Sequence, residues 1–422
     1  MSGQEMLTFA KELYPLNRSI TGEGLRQTLR RIQVELPELQ IRSVPTGTQV
    51  FDWIVPDEWE ISDAFIEDPS GRRIVDFSNN NLHVVGYSVA VDVRMSLDEL
   101  NLHLHSLPDL PDAIPYVTSY YHDNWGFCLS HRQRQSLPSG NYRVVIRSRK
   151  FDGVLNYGEL FIPGRSAEEV LLSSYVCHPS LANNELSGPT VLTFLGKQLS
   201  ARENRLSYRL VFVPETIGAI CFLNDNLEHL RVSVSAGFNL TCIGDERNFS
   251  VIHSRLGTTL SDRVAVAAAR MMSPSFREYT FLDRGSDERQ YCSPLVDMPI
   301  VTLCRTRFYD FPEYHTSLDN FDVVTAQGLE GGFQFASKCI ELLENNPRFR
   351  ARFPCEPQLG RRGLYPSLGG APSGASVNFL LDVLAYCDGH HDAQAISQIT
   401  RRPVEDVTRA LDVLLSYDLI RQ

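Results

Sequence analysis

The chain has no C-x-x-C pair, no apolar run of bilayer length, no low-complexity tract, no internal repeat and no excess of positive charge. Each absence removes a class of function. Nine cysteines, odd in number and widely spaced, argue against a disulfide framework or a thiolate zinc site. They read as buried free thiols in a reducing compartment. A net charge of −11, from 40 Lys+Arg against 51 Asp+Glu, disfavours a nucleic-acid-binding surface over most of the chain. The segment Met1 to Met6 shows no basic region leading into an apolar stretch, so no secretory signal is expected. Without a spanning segment no membrane partner is expected either. A cytoplasmic protein follows as the expectation.

What is present suits a globular protein. Of 422 residues, 43% are hydrophobic and 22% charged, enough for a sizeable core and for two or three domains. Residues 4–14 and 23–36 read as helices joined by a Pro- and Asn-containing turn. Residues 56–161 carry short alternating apolar runs split by turn signals, and read as an inserted β-rich domain. After Pro163 the pattern alternates strand and helix. The fold class expected is α/β: a mostly parallel sheet flanked by helices, with its core in residues 1–55 and 162–350. Residues 346–375, rich in Pro, Gly and Arg, read as a linker. Residues 356–422 hold three short amphipathic helices and end in Leu419-Ile420, which suggests a winged-helix module. Acidic residues among Arg401, Arg402 and Arg409 turn that module towards domain packing or a homo-oligomer rather than DNA.

Five short segments carry the chemistry. They are Cys177-His178-Pro179, the run from Ala182 to Gly188, Val213-Pro214-Glu215-Thr216, Gly285-Ser286-Asp287-Glu288 and Tyr314-His315-Thr316. Each puts a His, Glu or Asp at the end of an expected strand or in the loop after it, where open α/β sheets collect catalytic groups. Alone, His178 would read as a hydrogen-bonded loop residue, and Asn184 as part of a helix cap. Together these residues offer the imidazole and carboxylate donors that zinc accepts.

The order and wording of these segments resemble the M28 zinc aminopeptidase superfamily. The resemblance implies metal ligands at His178, Asp287 and His315, and a general base at Glu215. It implies a further ligand from the 184–185 pair. Asn184 stands where the superfamily has a bridging Asp, so Glu185 is the favoured ligand and Asn184 the alternative, as ligand or as support. Ser180 and Thr216 also stand where carboxylates are usual. Three lost carboxylates leave less charge for two dications, so one zinc is expected rather than two. Arg305 and Tyr314 are weaker candidates for substrate binding.

Longer motifs, among them Asn17 to Gly24, Phe51 to Trp59, Ile114 to Tyr121 and Trp125 to Cys128, resemble the DUF4910/DUF2172 aminopeptidase-like family over almost the whole chain. The implied activity is zinc-dependent amide hydrolysis of a small peptide or aminoacyl substrate through a metal-activated water. An amidase on an aminoacylated sugar or biosynthetic intermediate is the alternative. A degenerate binding or scaffold protein, and a regulator acting through the tail, are the readings outside catalysis. The aromatic run from Tyr116 to Trp125 is expected either beside the active site or in the core of the insert.

Overall fold

All seven residues of the strand Glu169–Tyr175 are buried. That is why its Val-Leu-Leu run shows no polar alternation: a parallel strand covered on both faces has no wet side. This strand is β3 of an eight-stranded sheet in a computed structural model that describes residues 2–364 and 374–421. The other strands are β1 (Gln40–Pro45), β2 (Val154–Ile162), β4 (Ser207–Val213), β5 (Val234–Leu240), β6 (Ser250–Ile252), β7 (Arg277–Tyr279) and β8 (Ile300–Cys304). Their order is β1-β2-β4-β3-β5-β8-β6-β7. The centre, β4-β3-β5-β8, is parallel, and β1, β2 and β6 join antiparallel. The expected α/β class holds, with antiparallel flanks added.

The chain divides into two compact units, Met1–Cys339 and Ile340–Gln422. The first contains the large sheet and also the insert. Within the insert, Glu58–Glu67, Arg73–Asp76, Val91–Ser96 and Asn141–Phe151 form an antiparallel four-stranded sheet. Its core is Ala64, Ile66, Phe127, Leu129, Val144 and Ile146. The expected insert boundary at 161 is too late. Val154–Ile162 pairs with β1 and β4 and so belongs to the large sheet. It is buried almost throughout, as befits a strand paired on both sides within the large sheet.

In the second unit Arg348–Ala351 pairs antiparallel with both Asp388–Asp392 and Ile420–Arg421. The first of these falls inside the expected linker, and the second begins where a turn was expected at Asp388. Helices Gly374–Ala385, Ala393–Thr400 and Val404–Ser416 complete the unit around Val383, Ile396, Val407, Leu411 and Leu414. Among the described residues no helix is long and apolar enough to cross a membrane. All nine cysteines are free, and eight are buried.

Candidate metal centre and active site

The site lies beyond the carboxyl ends of the parallel strands. His178 follows β3 by three residues and Glu215 follows β4 by two, while Asp287 and His315 sit in the loops before and after β8. The rings of His178 and His315, 137 positions apart in sequence, have centroids 5.4 Å apart. Folding thus brings the two distant imidazoles into one buried cluster.

Each side chain is held by a local device. His178 Nδ1 lies 2.7 Å from Glu185 Oε2, and both residues are buried. A carboxylate at Nδ1 fixes the proton there and leaves Nε2 as the lone-pair nitrogen. Behind it the fully buried Arg18 donates to the His178 carbonyl (2.9 Å) and to the Leu13 carbonyl (2.5 Å), with its Nε 3.6 Å from Glu185 Oε1. Glu185 comes from a single π-helical turn, Ala182–Leu186, a form often found at functional sites. Asp319 caps that turn: the backbone N–H groups of Asn183 and Asn184 donate to its two carboxyl oxygens at 2.6 and 2.8 Å. Gly188 follows because a Cβ there would lie 2.3 Å from the Leu240 carbonyl, so the helix could not otherwise pack against β5.

Glu215 precedes a strained turn. Thr216 has φ 66° and ψ −77°, and the Ile217 N–H donates to the Glu215 carbonyl at 2.9 Å. This is a γ-turn with positive φ, the rarer and more strained of its two forms. For a β-branched residue such a φ is a true outlier, and strain of this kind concentrates at functional sites. The turn aims the Thr216 N–H at Asp287 Oδ1 (2.7 Å) and brings Glu215 Oε2 within 3.5 Å of His178 Nε2. His315 also has positive φ, 55°. The insert holds it there: Tyr116 N–H donates to the His315 carbonyl (2.9 Å), and Ser317 N–H to the Ile114 carbonyl (2.9 Å). The Tyr116 ring lies edge-on to both histidines, at 5.0 and 5.2 Å. The Tyr116–Trp125 run therefore divides: Tyr116, Tyr120 and Tyr121 wall the site, while Trp125 stacks on His103 against the core of the insert.

Several buried polar atoms here have no hydrogen-bond partner: Asn184 Oδ1, Asp287 Oδ2, His315 Nε2 and Glu185 Oε1. Leaving one such atom unmatched costs about 1–3 kcal/mol, so a cluster of them in a folded protein calls for an explanation. The electrostatics point the same way. Burial raises the Glu215 carboxyl, against the pull of His178 and Arg289. Burial, then the charge of Glu215, lifts Asp287 well above the usual carboxylate range. Burial, with His178 beside it, lowers His315 to about 3, keeping it neutral. Burial alone would lower His178, but its hydrogen bond to Glu185 and the charges of Glu185 and Glu215 outweigh this and raise it. A neutral His315 beside two raised carboxyls leaves lone pairs in the cluster free to meet a cation.

A cavity of about 270 Å³ opens beside Cys177, His178, Glu215 and Thr216. Ile20, Trp53, Tyr120, Tyr121 and Ile217 form its other walls. Among the sequence candidates, His178 meets His315 ring to ring and Glu215 at 3.5 Å, Asp287 joins them through the Thr216 N–H, and Glu185 reaches the cluster through Nδ1 of His178. Arg305 does not converge: it is buried, stacks on Phe249 at 4.0 Å and donates to the Asn248 and Gly328 carbonyls. Tyr314 stacks on His315 with ring centroids 4.0 Å apart and buttresses it. Sequence reasoning missed Arg18 and Arg289. Arg18 had a signal, since it lies in the Asn17–Gly24 motif. Arg289 had none beyond its place two residues after Asp287.

Comparison with known proteins agrees with this fold. A family model described as a domain of unknown function, DUF4910, matches residues 7–346, and a winged helix-turn-helix model matches residues 348–422. A Clostridium acetobutylicum protein, provisionally named as a polysaccharide biosynthesis protein with an aminopeptidase-like domain, is 39% identical over 422 residues, or 100% of this chain and 96% of that one. The crystal structure of a Clostridium acetobutylicum protein, provisionally called a peptidase, aligns with a TM-score of 0.83 at 38% identity, covering 99% of this chain and 96% of that one. A zinc aminopeptidase from Bacillus subtilis shares the fold, with a TM-score of 0.58 at 12% identity over 81% of this chain and 95% of its own. With a family model covering four fifths of its length and a relative spanning all of it, the chain belongs to the DUF4910 family, an aminopeptidase-like α/β fold followed by a winged-helix domain.

Proposed function

We propose that this protein is a zinc-dependent, aminopeptidase-like amide hydrolase acting on a small peptide or aminoacyl substrate. The observation that carries the reading is the set of unpartnered donors. Asn184 Oδ1, Asp287 Oδ2 and His315 Nε2 are buried without hydrogen bonds, and His178 Nε2 is left as a lone-pair nitrogen by Glu185. Two imidazoles and the Asp287 carboxylate make a three-donor set of the kind catalytic zinc takes, with a position left open for water or substrate. These three residues would hold one zinc ion, with Asn184 the supporting oxygen. Glu185 then acts on His178 rather than on the ion, because its Oε2 is already committed to Nδ1. It takes the place of the missing carboxylate at Ser180. Cys177, His178 and Glu185 also bring donor atoms within 4.8 Å of one another. That trio is the weaker fit, since His178 Nδ1 and Glu185 Oε2 are already hydrogen-bonded to each other at 2.7 Å.

When bound, zinc supplies a Lewis acid for the amide carbonyl. The chain supplies the proton transfers. Glu215, with its carboxyl raised by burial, accepts a proton from the attacking water and returns it to the leaving nitrogen as the C–N bond breaks. The γ-turn at Thr216 and the insert contacts at His315 hold base and site in fixed relation. The binding-protein alternative lacks an account of the unpartnered donors. The amidase alternative, on an aminoacylated sugar, finds support in the relative named for polysaccharide biosynthesis.

Glu215→Gln, compared with the parent on a panel of aminoacyl anilides and dipeptides, tests the reading. The expected outcome is a loss of kcat of about 10²–10⁴-fold with zinc content unchanged. Equal turnover by variant and parent would remove Glu215 from the base role.

A further inference from the structure

We infer that Arg289 is a substrate-selecting residue that takes an anionic group, a carboxylate or phosphate, next to the scissile amide. The inference deepens the hydrolase reading and rests on it for the location of the scissile bond. Arg289 lies in the short helix Glu288–Tyr291, which Asp287 precedes. Its Nε donates to the Ser286 carbonyl at 3.0 Å, and its Nη2 donates to Thr216 Oγ1 at 3.0 Å and lies 4.0 Å from Glu215 Oε1. These contacts anchor the guanidinium by one edge. Nη1 has no hydrogen bond, and the side chain is 40% exposed. An anchored fork with an open edge is the arrangement that receives a carboxylate or phosphate with two parallel hydrogen bonds.

Its place in the site matters as much as its geometry. Thr216 and Glu215, the two residues it approaches, also line the cavity. The cavity's far walls, Ile20, Trp53, Tyr120, Tyr121 and Ile217, carry no charge. The neighbouring acids are already committed. Glu185 serves His178 and Arg18. Glu288 accepts from the Gly285 and Ser286 N–H groups, Asn239 and Thr302. Asp287 accepts from the Thr216 N–H. The carboxylate that lines the cavity is that of Glu215, the proposed base, and Arg289 Nη2 lies 4.0 Å from its Oε1, so a fixed cation stands beside it. The ligand that fits has an apolar, ring-sized group for the cavity and a negative charge a few bonds away.

The test is calorimetric titration of the purified full-length chain with three ligands of one shape: 3-phenylpropanoate, 3-phenylpropanamide and 3-phenylpropylamine. The parent should bind the carboxylate about tenfold or more tightly than the amide, and the amine most weakly. In Arg289→Gln the carboxylate preference should fall to within about twofold, and in Arg289→Lys, which keeps the charge but not the fork, it should be intermediate. A phosphonate of the same shape separates the two anion classes by its affinity relative to the carboxylate. A preference unchanged in Arg289→Gln, or amine binding as tight as carboxylate binding, overturns the inference. Hydrolysis of a neutral acyl anilide is scored in parallel. Turnover without an Arg289-dependent charge preference defeats this inference alone. An Arg289-dependent preference without turnover on any substrate defeats the hydrolase reading alone.

Discussion

Two histidine–carboxylate clusters lie in the same compact unit, and they are built on opposite terms. At the first, His253 places Nδ1 2.9 Å from Asp262 Oδ1 and Nε2 3.1 Å from Glu278 Oε2. Asp262 also accepts from the N–H and hydroxyl of both Ser254 and Thr259. No buried polar atom of this cluster is left over. Asp262, despite its burial, is lowered to about 2 by the hydrogen bonds from His253, Ser254 and Thr259. At the second, around His178 and His315, donors stand unmatched, two carboxyls are raised and the backbone is strained at Thr216. The same residue types give a cap for helix Leu260–Met272 in one place and a set of unpartnered donor atoms in the other. The lesson is that unmet hydrogen-bonding capacity, more than residue identity, marks the working site.

The largest effect on that contrast should come from Arg18→Met. It removes the counter-charge behind Glu185 and leaves a buried carboxylate uncompensated, at an expected cost of about 3–5 kcal/mol in denaturant-derived stability. A cost below about 1 kcal/mol would show that the Arg18–Glu185 contact carries little of the stability. Glu185→Gln is gentler. It keeps shape and one hydrogen bond but weakens the orientation of His178, and should lower zinc affinity about 10–100-fold in competition with a chelator. If affinity falls by several further orders of magnitude, Glu185 is a ligand and the assignment to Asn184 is wrong.

Asp262→Asn is the control from the satisfied cluster. It should cost about 1–3 kcal/mol of stability and leave zinc affinity unchanged. The pH dependence has a definite sign. The folded carboxyl of Asp262 lies at about 2, below its ordinary value of 3.8, so its contribution is full above about pH 4 and is lost as pH falls towards 2. His253 is raised by its bond to Asp262, so its contribution is full below its ordinary range and lost as pH rises through its folded value. Stability plotted against pH should fall more steeply between about pH 4 and pH 2 in the parent than in Asp262→Asn.

The sequence carried the architecture of the first unit well, because buried parallel strands and the helices between them leave strong patterns. The positions of His178 and Glu215 were legible because each follows a buried strand by two or three residues, whereas Asp287 and His315 were singled out only by resemblance. Three things were not legible. The π-helical turn that swings Glu185 onto Nδ1 of His178 has no periodic signature over five residues. Arg18 lies 160 positions from His178, and only the folded chain shows that a basic side chain from the first helical hairpin backs the cluster. Arg348–Ala351 was hidden in a Pro-, Gly- and Arg-rich stretch, where a four-residue strand is too short to show alternation.

The account turns on a divalent ion held by His178, Asp287 and His315 with Asn184. Calorimetric titration of zinc into the chelator-treated full-length chain addresses it directly. The account predicts one tight zinc per chain in the parent and in Glu215→Gln, and its loss in His315→Ala and in Asp287→Asn, with all four proteins folded by circular dichroism. Unchanged zinc binding in both His315→Ala and Asp287→Asn, or no zinc binding by the parent, would contradict it.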